Sequence, residues 1–178
     1  MQYLLKLNLK ATPAWRMIAV DGGADRAHLA ALICAAFGYF EGRAEFEYAG
    51  KTYTAGCSGV PSAMEELQPF EALGLKQGEV LEFRVFLGSG AVLSHRVEVM
   101  KAAEHLYCFM PSCLVGAGAI PEHLQNAEEV TAYYEAQEEP RLDLRVLTAR
   151  MRALGVQRSD PDEAMRRAGA QVLRFDLK

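Results

Sequence analysis

Hydrophobic and polar positions alternate along most of the first hundred residues, and the period of that alternation predicts the elements. Tyr3, Leu5, Leu7 and Leu9 alternate with Leu4, Lys6, Asn8 and Lys10, the pattern of a strand with one buried face. Thr12-Pro13 ends it, and Trp15 to Val20 reads as a second strand. The period then lengthens. Leu29, Leu32, Ile33, Ala36 and Phe37 recur as on a core-facing helix, with Asp25 placed to cap its start and Gly38 to end it. Ala44, Phe46 and Tyr48 return to alternation, Ala49-Gly50 turns, and Lys51 to Thr54 runs back as a short strand. Between Ala55 and Gly78 the pattern breaks up, with a short helix expected at Ala63 to Leu73.

The stretch from Glu79 to Pro121 organises the chain. Leu81, Phe83 and Val85 alternate with Glu82 and Arg84, Gly88-Ser89-Gly90 supplies a reversal, and Leu93, His95, Val97 and Val99 share one face of the return strand. His95 therefore stands in an apolar row. Leu106 to Pro121 lacks a period and is rich in Gly and Pro, so an ordered loop packed beside the hairpin is expected. A helix follows from Glu122 to Gln137. A second has Leu144, Leu147, Met151 and Leu154 on one side, Arg141, Arg145 and Arg152 on the other, and Gly155 closing it. Asp160-Pro161-Asp162-Glu163 opens a third helix, and Leu173, Phe175 and Leu177 mark a closing strand.

Strands, a helix, strands, helices and a strand in this order predict an α+β fold, a mixed sheet with helices on one side. At 178 residues the chain suits one domain with a substantial core. Residues 1–155 form its body, and 156–178 are read as a helix–strand extension packed on it. Half of the side chains being hydrophobic and a quarter charged, 51% and 24%, is the balance of a globular protein. No apolar run approaches the roughly 20 residues that span a bilayer, and the N-terminus has the pattern of a strand rather than a leader, so a cytoplasmic, membrane-free protein is expected. The net charge of −4 conceals an asymmetry. Residues 141–178 hold nine Lys/Arg against five Asp/Glu, and residues 1–140 hold ten against eighteen. A basic segment this modest on an acidic body argues against a nucleic-acid partner. Arg141, Arg145, Arg152, Arg166 and Arg167 are read first as plain solubility charge and second as a surface that docks a protein.

Candidate chemistry is sparse. Cys34, Cys57, Cys108 and Cys113 are too few and too irregular for a disulfide framework, and free buried thiols are expected. His95, Cys108 and Cys113, with His105 or His123 as a further donor, could place imidazole and thiolate around zinc. The paired spacing of a second half-site is missing, so burial of these groups without a metal is the simpler expectation. A Cys–His nucleophile would need a third group to orient the histidine, and none is evident. Gly88-Ser89-Gly90 and Gly116-Ala117-Gly118 match neither phosphate-binding glycine pattern. Trp15 is expected in the core, and Arg16 beside an acid.

Several of these segments recur together in a known family. Pro13-Ala14-Trp15-Arg16, the helix end Ala36-Phe37-Gly38-Tyr39, the strand with Glu45-Phe46, the hairpin with His95, and Pro111-Ser112-Cys113-Leu114-Val115-Gly116 running to Ile120-Pro121-Glu122 stand in one order. In this the chain resembles, over residues 3 to 155, the agrobacterial Ri-plasmid open-reading-frame-three-like family, often labelled TnpR-like from its presence near mobile elements. The resemblance implies an α+β fold compatible with a ubiquitin-like (β-grasp) core and no established activity. The family's Tyr-Asp-Phe-Gly-Asp-x-Trp-x-His hairpin signature is reduced to Gly90 and His95, with both aspartates and the tryptophan gone, and its first-helix histidine is replaced by Ala30. This loss of polar groups favours a non-enzymatic interaction module with no cofactor. A metal-binding protein or metal-dependent enzyme centred on His95, Cys108 and Cys113 is the alternative.

Overall fold

The computed structural model describes residues 1–39, 42–57, 68–121, 126–136 and 141–155. Among them seven strands form one sheet: β1 (Gln2–Leu9), β2 (Trp15–Asp21), β3 (Arg43–Tyr48), β4 (Lys51–Gly56), β5 (Val80–Phe86), β6 (Val92–Ala103) and β7 (Ser112–Ala117). The spatial order is β4-β3-β5-β6-β1-β2-β7, and every ladder is antiparallel. Three helices, α1 (Arg26–Phe37), α2 (Ala127–Ala136) and α3 (Leu144–Ala153), complete an α+β fold. The described ladders add no parallel pair to make the sheet mixed, and β1 runs antiparallel to both its neighbours.

The strands form where the alternation places them. Tyr3, Leu5, Leu7 and Leu9 on β1, Phe83 and Val85 on β5, and Leu93, Val97 and Val99 on β6 are all buried and share one core. Helix α1 covers this face. Asp25 accepts a hydrogen bond from the His28 amide at 2.7 Å, and Gly38, at φ +80°, ends the helix in the left-handed conformation that glycine adopts without a steric penalty. Asn126 and Glu129 cap the start of α2 reciprocally, amide to side chain in one direction and side chain to side chain in the other. Asp143 caps α3.

Two expectations are corrected. Residues 106–121 are no loop beside the hairpin. They contain β7, which pairs with β2 and is separated from the hairpin by β1 and β2. Its pairing with β2 shifts register between Met17 and Ile18 and passes over Leu114, so the strand carries no regular alternation. Gly116 lies so close to β2 that a Cβ there would stand 2.7 Å from the Trp15 carbonyl oxygen. The expected helix over Ala63 to Leu73 is, in its described part, a single 3-10 turn at Phe70–Leu73. The helix at Asp160, the strand at Leu173 and the assignment of 156–178 as an extension lie outside the described residues.

Candidate functional site

The sheet has a closed face and an open one, and most residues with chemical potential are distributed between them. On the closed face, Arg16 is the largest fully buried side chain. Its Nε donates to the Ala36 carbonyl at 3.0 Å, Nη1 to the Trp15 and Ala117 carbonyls at 2.8 and 2.6 Å, and Nη2 to the Gly118 carbonyl at 2.6 Å. The guanidinium also lies 4.9 Å from the centre of the Phe37 ring. The expected pairing with an acid is replaced by these carbonyls. The cation sits at the C-terminal end of α1, where unpaired carbonyls carry partial negative charge, and it ties together α1, β2 and the chain leaving β7.

His95 is 0% exposed. Its Nδ1 lies 3.3 Å from the Phe83 carbonyl oxygen and its Nε2 3.1 Å from the Tyr39 hydroxyl. A carbonyl only accepts, so Nδ1 carries the proton and Nε2 accepts from Tyr39. Burial pushes the imidazole pKa down from 6.5 to about 4, against smaller raising effects from the Phe83 and Leu93 backbone. Burial also pushes the Tyr39 hydroxyl well up, assisted by Cys34 and opposed by Arg16. Both groups are therefore neutral at pH 7, Tyr39 as donor and His95 as acceptor. Phe37 and Phe83 pack on the ring, with centroids 4.8 and 5.7 Å away.

The candidate metal ligands do not assemble. Among the described residues no group of three or more His, Cys, Asp or Glu side chains could hold a metal ion. His95 on β6 and Cys113 on β7 are separated by β1 and β2, three strand spacings or about 14 Å, and His95 has both ring nitrogens engaged. The Cys113 amide donates to Thr148 Oγ1 at 3.0 Å, and its carbonyl accepts from the same hydroxyl at 3.2 Å. Burial pushes the Cys113 thiol pKa up, with Arg16 opposing. Cys108 lies half-buried in the segment before β7, His105 is exposed, and His123 lies outside the described residues.

The candidate docking arginines also divide. Arg141 precedes the Asp143 cap of α3 rather than lying on that helix, and it is exposed, as is Arg145. Arg152 is engaged. Its Nε donates to the Pro111 carbonyl at 3.3 Å, its Nη2 to Ser112 Oγ at 3.0 Å, and its guanidinium lies 5.9 Å from the Phe109 ring centre. It fastens α3 to the start of β7. Arg166 and Arg167 lie outside the described residues.

The open face carries a row of charged pairs. Trp15, expected in the core, is half-exposed here with Lys6 Nζ 5.4 Å from its ring centre. Lys10 pairs with Glu82 at 2.7 Å, Arg84 with Glu47 at 2.9 Å, Arg43 with Glu45 at 2.9 Å, and Arg96 with Glu98. Between these pairs is an open depression of about 300 Å³, lined by Lys10, Glu47, Tyr48, Val80, Glu82 and Arg96.

The chain is thus an α+β protein built on one antiparallel sheet, with a sealed polar junction under one face and a mixed-charge surface on the other. Among solved structures it is similar to the protein of unknown function MM3350 from Methanosarcina mazei Go1, with 21% identity, 90% of this chain and 91% of that one covered, and a TM-score of 0.56. That likeness shows the fold. No protein-family model and no curated protein matches the chain. Among the described residues no helix is long and apolar enough to cross a membrane.

Proposed function

We propose that this chain is a non-enzymatic interaction module, a diverged member of the Ri-plasmid open-reading-frame-three-like family, which presents the open face of its sheet to a protein partner. The observation that carries the reading is the state of His95. It is fully buried, neutral at pH 7 and hydrogen-bonded through both nitrogens, so it has neither access to a substrate nor a free lone pair to act as base or ligand. The segments behind the resemblance support the same reading. Trp15 and Ala36 lend carbonyls to Arg16, Phe37 stacks on it, Tyr39 bonds His95, and Ser112 to Gly116 form the strand whose continuation supplies two further carbonyls. The shared residues hold a fold together.

The chemistry of the open face favours a partner bearing both signs of charge. Lys10, Arg43, Arg84 and Arg96 each face a carboxylate, so there is little uncompensated positive charge to exchange for phosphate counterions. The test is hydrogen exchange on the chain purified with its native partner, compared with the chain alone. Protection over β1, β5 and β6, lost in an Arg84→Glu, Arg96→Glu double variant that retains its thermal midpoint, is the expected result. Protection confined to other elements would overturn the choice of face. A hydrolytic or redox turnover abolished by His95→Ala in folded protein would overturn the non-enzymatic reading.

A further inference from the structure

Glu82 and Arg96 stand directly opposite each other on β5 and β6, in the middle of the open face. Their row continues to Glu47 on β3 and to Asn8 on β1. In the next row Glu45 lies opposite Arg84 and Arg84 opposite Ser94, and the Lys10 amide donates to the Ser94 carbonyl at 2.9 Å. Residues in register project from one face of a sheet, so charge is ordered across the strands. The β3 carboxylates Glu45 and Glu47 lie to one side, and Lys10 of β1 lies to the other. Three strand spacings, about 14 Å, separate those strands.

A two-fold axis running along the strands between β5 and β6 turns this pattern onto its opposite. It lays β5 of one copy over β6 of the other, and β3 over β1. Glu82 then meets Arg96 and Glu45 meets Lys10, each twice, while Arg84 meets Ser94 and Glu47 meets Asn8. In these two rows no like charges are stacked. At the centre two carboxylates and two guanidinium groups alternate around a square, each with an opposite charge beside it and another above it. An axis lying along β5 stacks Glu82 on Glu82, and one along β6 stacks Arg96 on Arg96. An axis across the strands through this row stacks every one of its charges on its own copy. The depression of about 300 Å³ that Glu82 and Arg96 line with Lys10 and Glu47 gives space to the long side chains of the second copy.

On the reading that the open face is the binding face, we infer that its partner is a second copy of this chain, packed sheet face to sheet face about the axis between β5 and β6. The contact is polar, which belongs to a weak, reversible dimer.

Sedimentation of the full chain over about a hundredfold range of concentration reads the dimer directly. A monomer–dimer equilibrium is expected, with a dissociation constant that rises about tenfold or more from low to high salt. Arg96→Glu stacks carboxylate on carboxylate, and Glu82→Arg stacks guanidinium on guanidinium, so each variant alone should stay monomeric. Mixed in equal amounts they should dimerise again, because each supplies the charge that the other lacks. A carbodiimide, which joins amine to carboxylate with no spacer, checks the arrangement in wild-type protein, even where a variant fails to fold. Lys10 and Glu82, 2.7 Å apart, should link within a chain. A Lys10–Glu45 link should appear only in a species of twice the chain mass. A chain that stays monomeric at every concentration overturns the second copy alone and leaves the open face to a different protein. A dimer that lacks the Lys10–Glu45 link, or whose two variants fail to restore each other, overturns the inference. A dimer linked through β7 and α3 instead overturns the choice of face as well.

Discussion

Trp15 and Arg16 are neighbours on β2 that project to opposite faces of the sheet, and the two faces treat charge in opposite ways. Beneath the closed face, Arg16 is held by four backbone carbonyls and one aromatic ring, and His95 is held by a hydroxyl and a carbonyl. On the open face, Lys6 rests over Trp15 while Lys10, Arg43, Arg84 and Arg96 face carboxylates that water also reaches. A buried polar group removed from its partners leaves them unsatisfied in a medium of low dielectric. An exposed ion pair removed is replaced by solvent. The two faces therefore differ in what a substitution costs, and that difference separates residues that build the fold from residues free to serve a partner.

The largest effect should come from Arg16→Met. It leaves the Ala36, Ala117 and Gly118 carbonyls without their donor, and a loss of about 3 kcal/mol or more is expected in urea unfolding. Arg16→Lys should recover only part of this, because one ammonium cannot reproduce the guanidinium fork. A loss under 1 kcal/mol for Arg16→Met would break the distinction between the faces.

His95 gives the next effect, through pH. Its pKa is about 4 in the folded chain against 6.5 for the unperturbed group. Between those values the unfolded chain binds a proton that the folded one excludes, so stability rises with pH across that window. It is complete above about pH 6.5, falls as the pH drops toward 4, and levels off below. The span is about 3 kcal/mol, and His95→Leu should flatten it. Denaturant midpoints from pH 7.5 to 4 in the two proteins check this.

A smaller effect is expected where α3 covers the edge of the sheet. Thr148→Val keeps the shape but removes the hydroxyl that bonds the Cys113 amide and carbonyl. About 1–2 kcal/mol should be lost, with increased self-association on size exclusion as edge β7 loses its cover. The smallest belongs to the open face. Arg84→Ala removes an ion pair whose arginine is 30% exposed, and it should change stability by no more than about 1 kcal/mol.

Much of this architecture was legible from period alone. The strands β1, β2, β3, β5 and β6, the helix between Asp25 and Gly38, and the burial of His95 all follow from which positions alternate. The same rule reaches Arg16. It shares a face with Ile18 and Val20, both buried, so period two places it inside and Trp15 outside. Residue type suggested the reverse, because tryptophan is more apolar than arginine, and local carbonyl geometry decided it. Strand β7 escaped because Ser112-Cys113-Leu114-Val115-Gly116-Ala117 does not alternate, its pairing with β2 passing over Leu114. The bond from Tyr39 to His95 joins the end of α1 to β6, which are remote in sequence, and spacing carries no trace of it. The metal candidates failed for the same reason, since chemical suitability says nothing of the two strands standing between His95 and Cys113.

The central claim is that His95 serves the interior and is closed to ligands. An NMR titration of the His95 imidazole, from pH 8 downward and with zinc added at pH 7, addresses it most directly. The account predicts a neutral ring protonated at Nδ1, no titration until the pH nears 4, and no response to zinc. A midpoint near 6.5, or a zinc-induced shift at His95 together with Cys113, would contradict it.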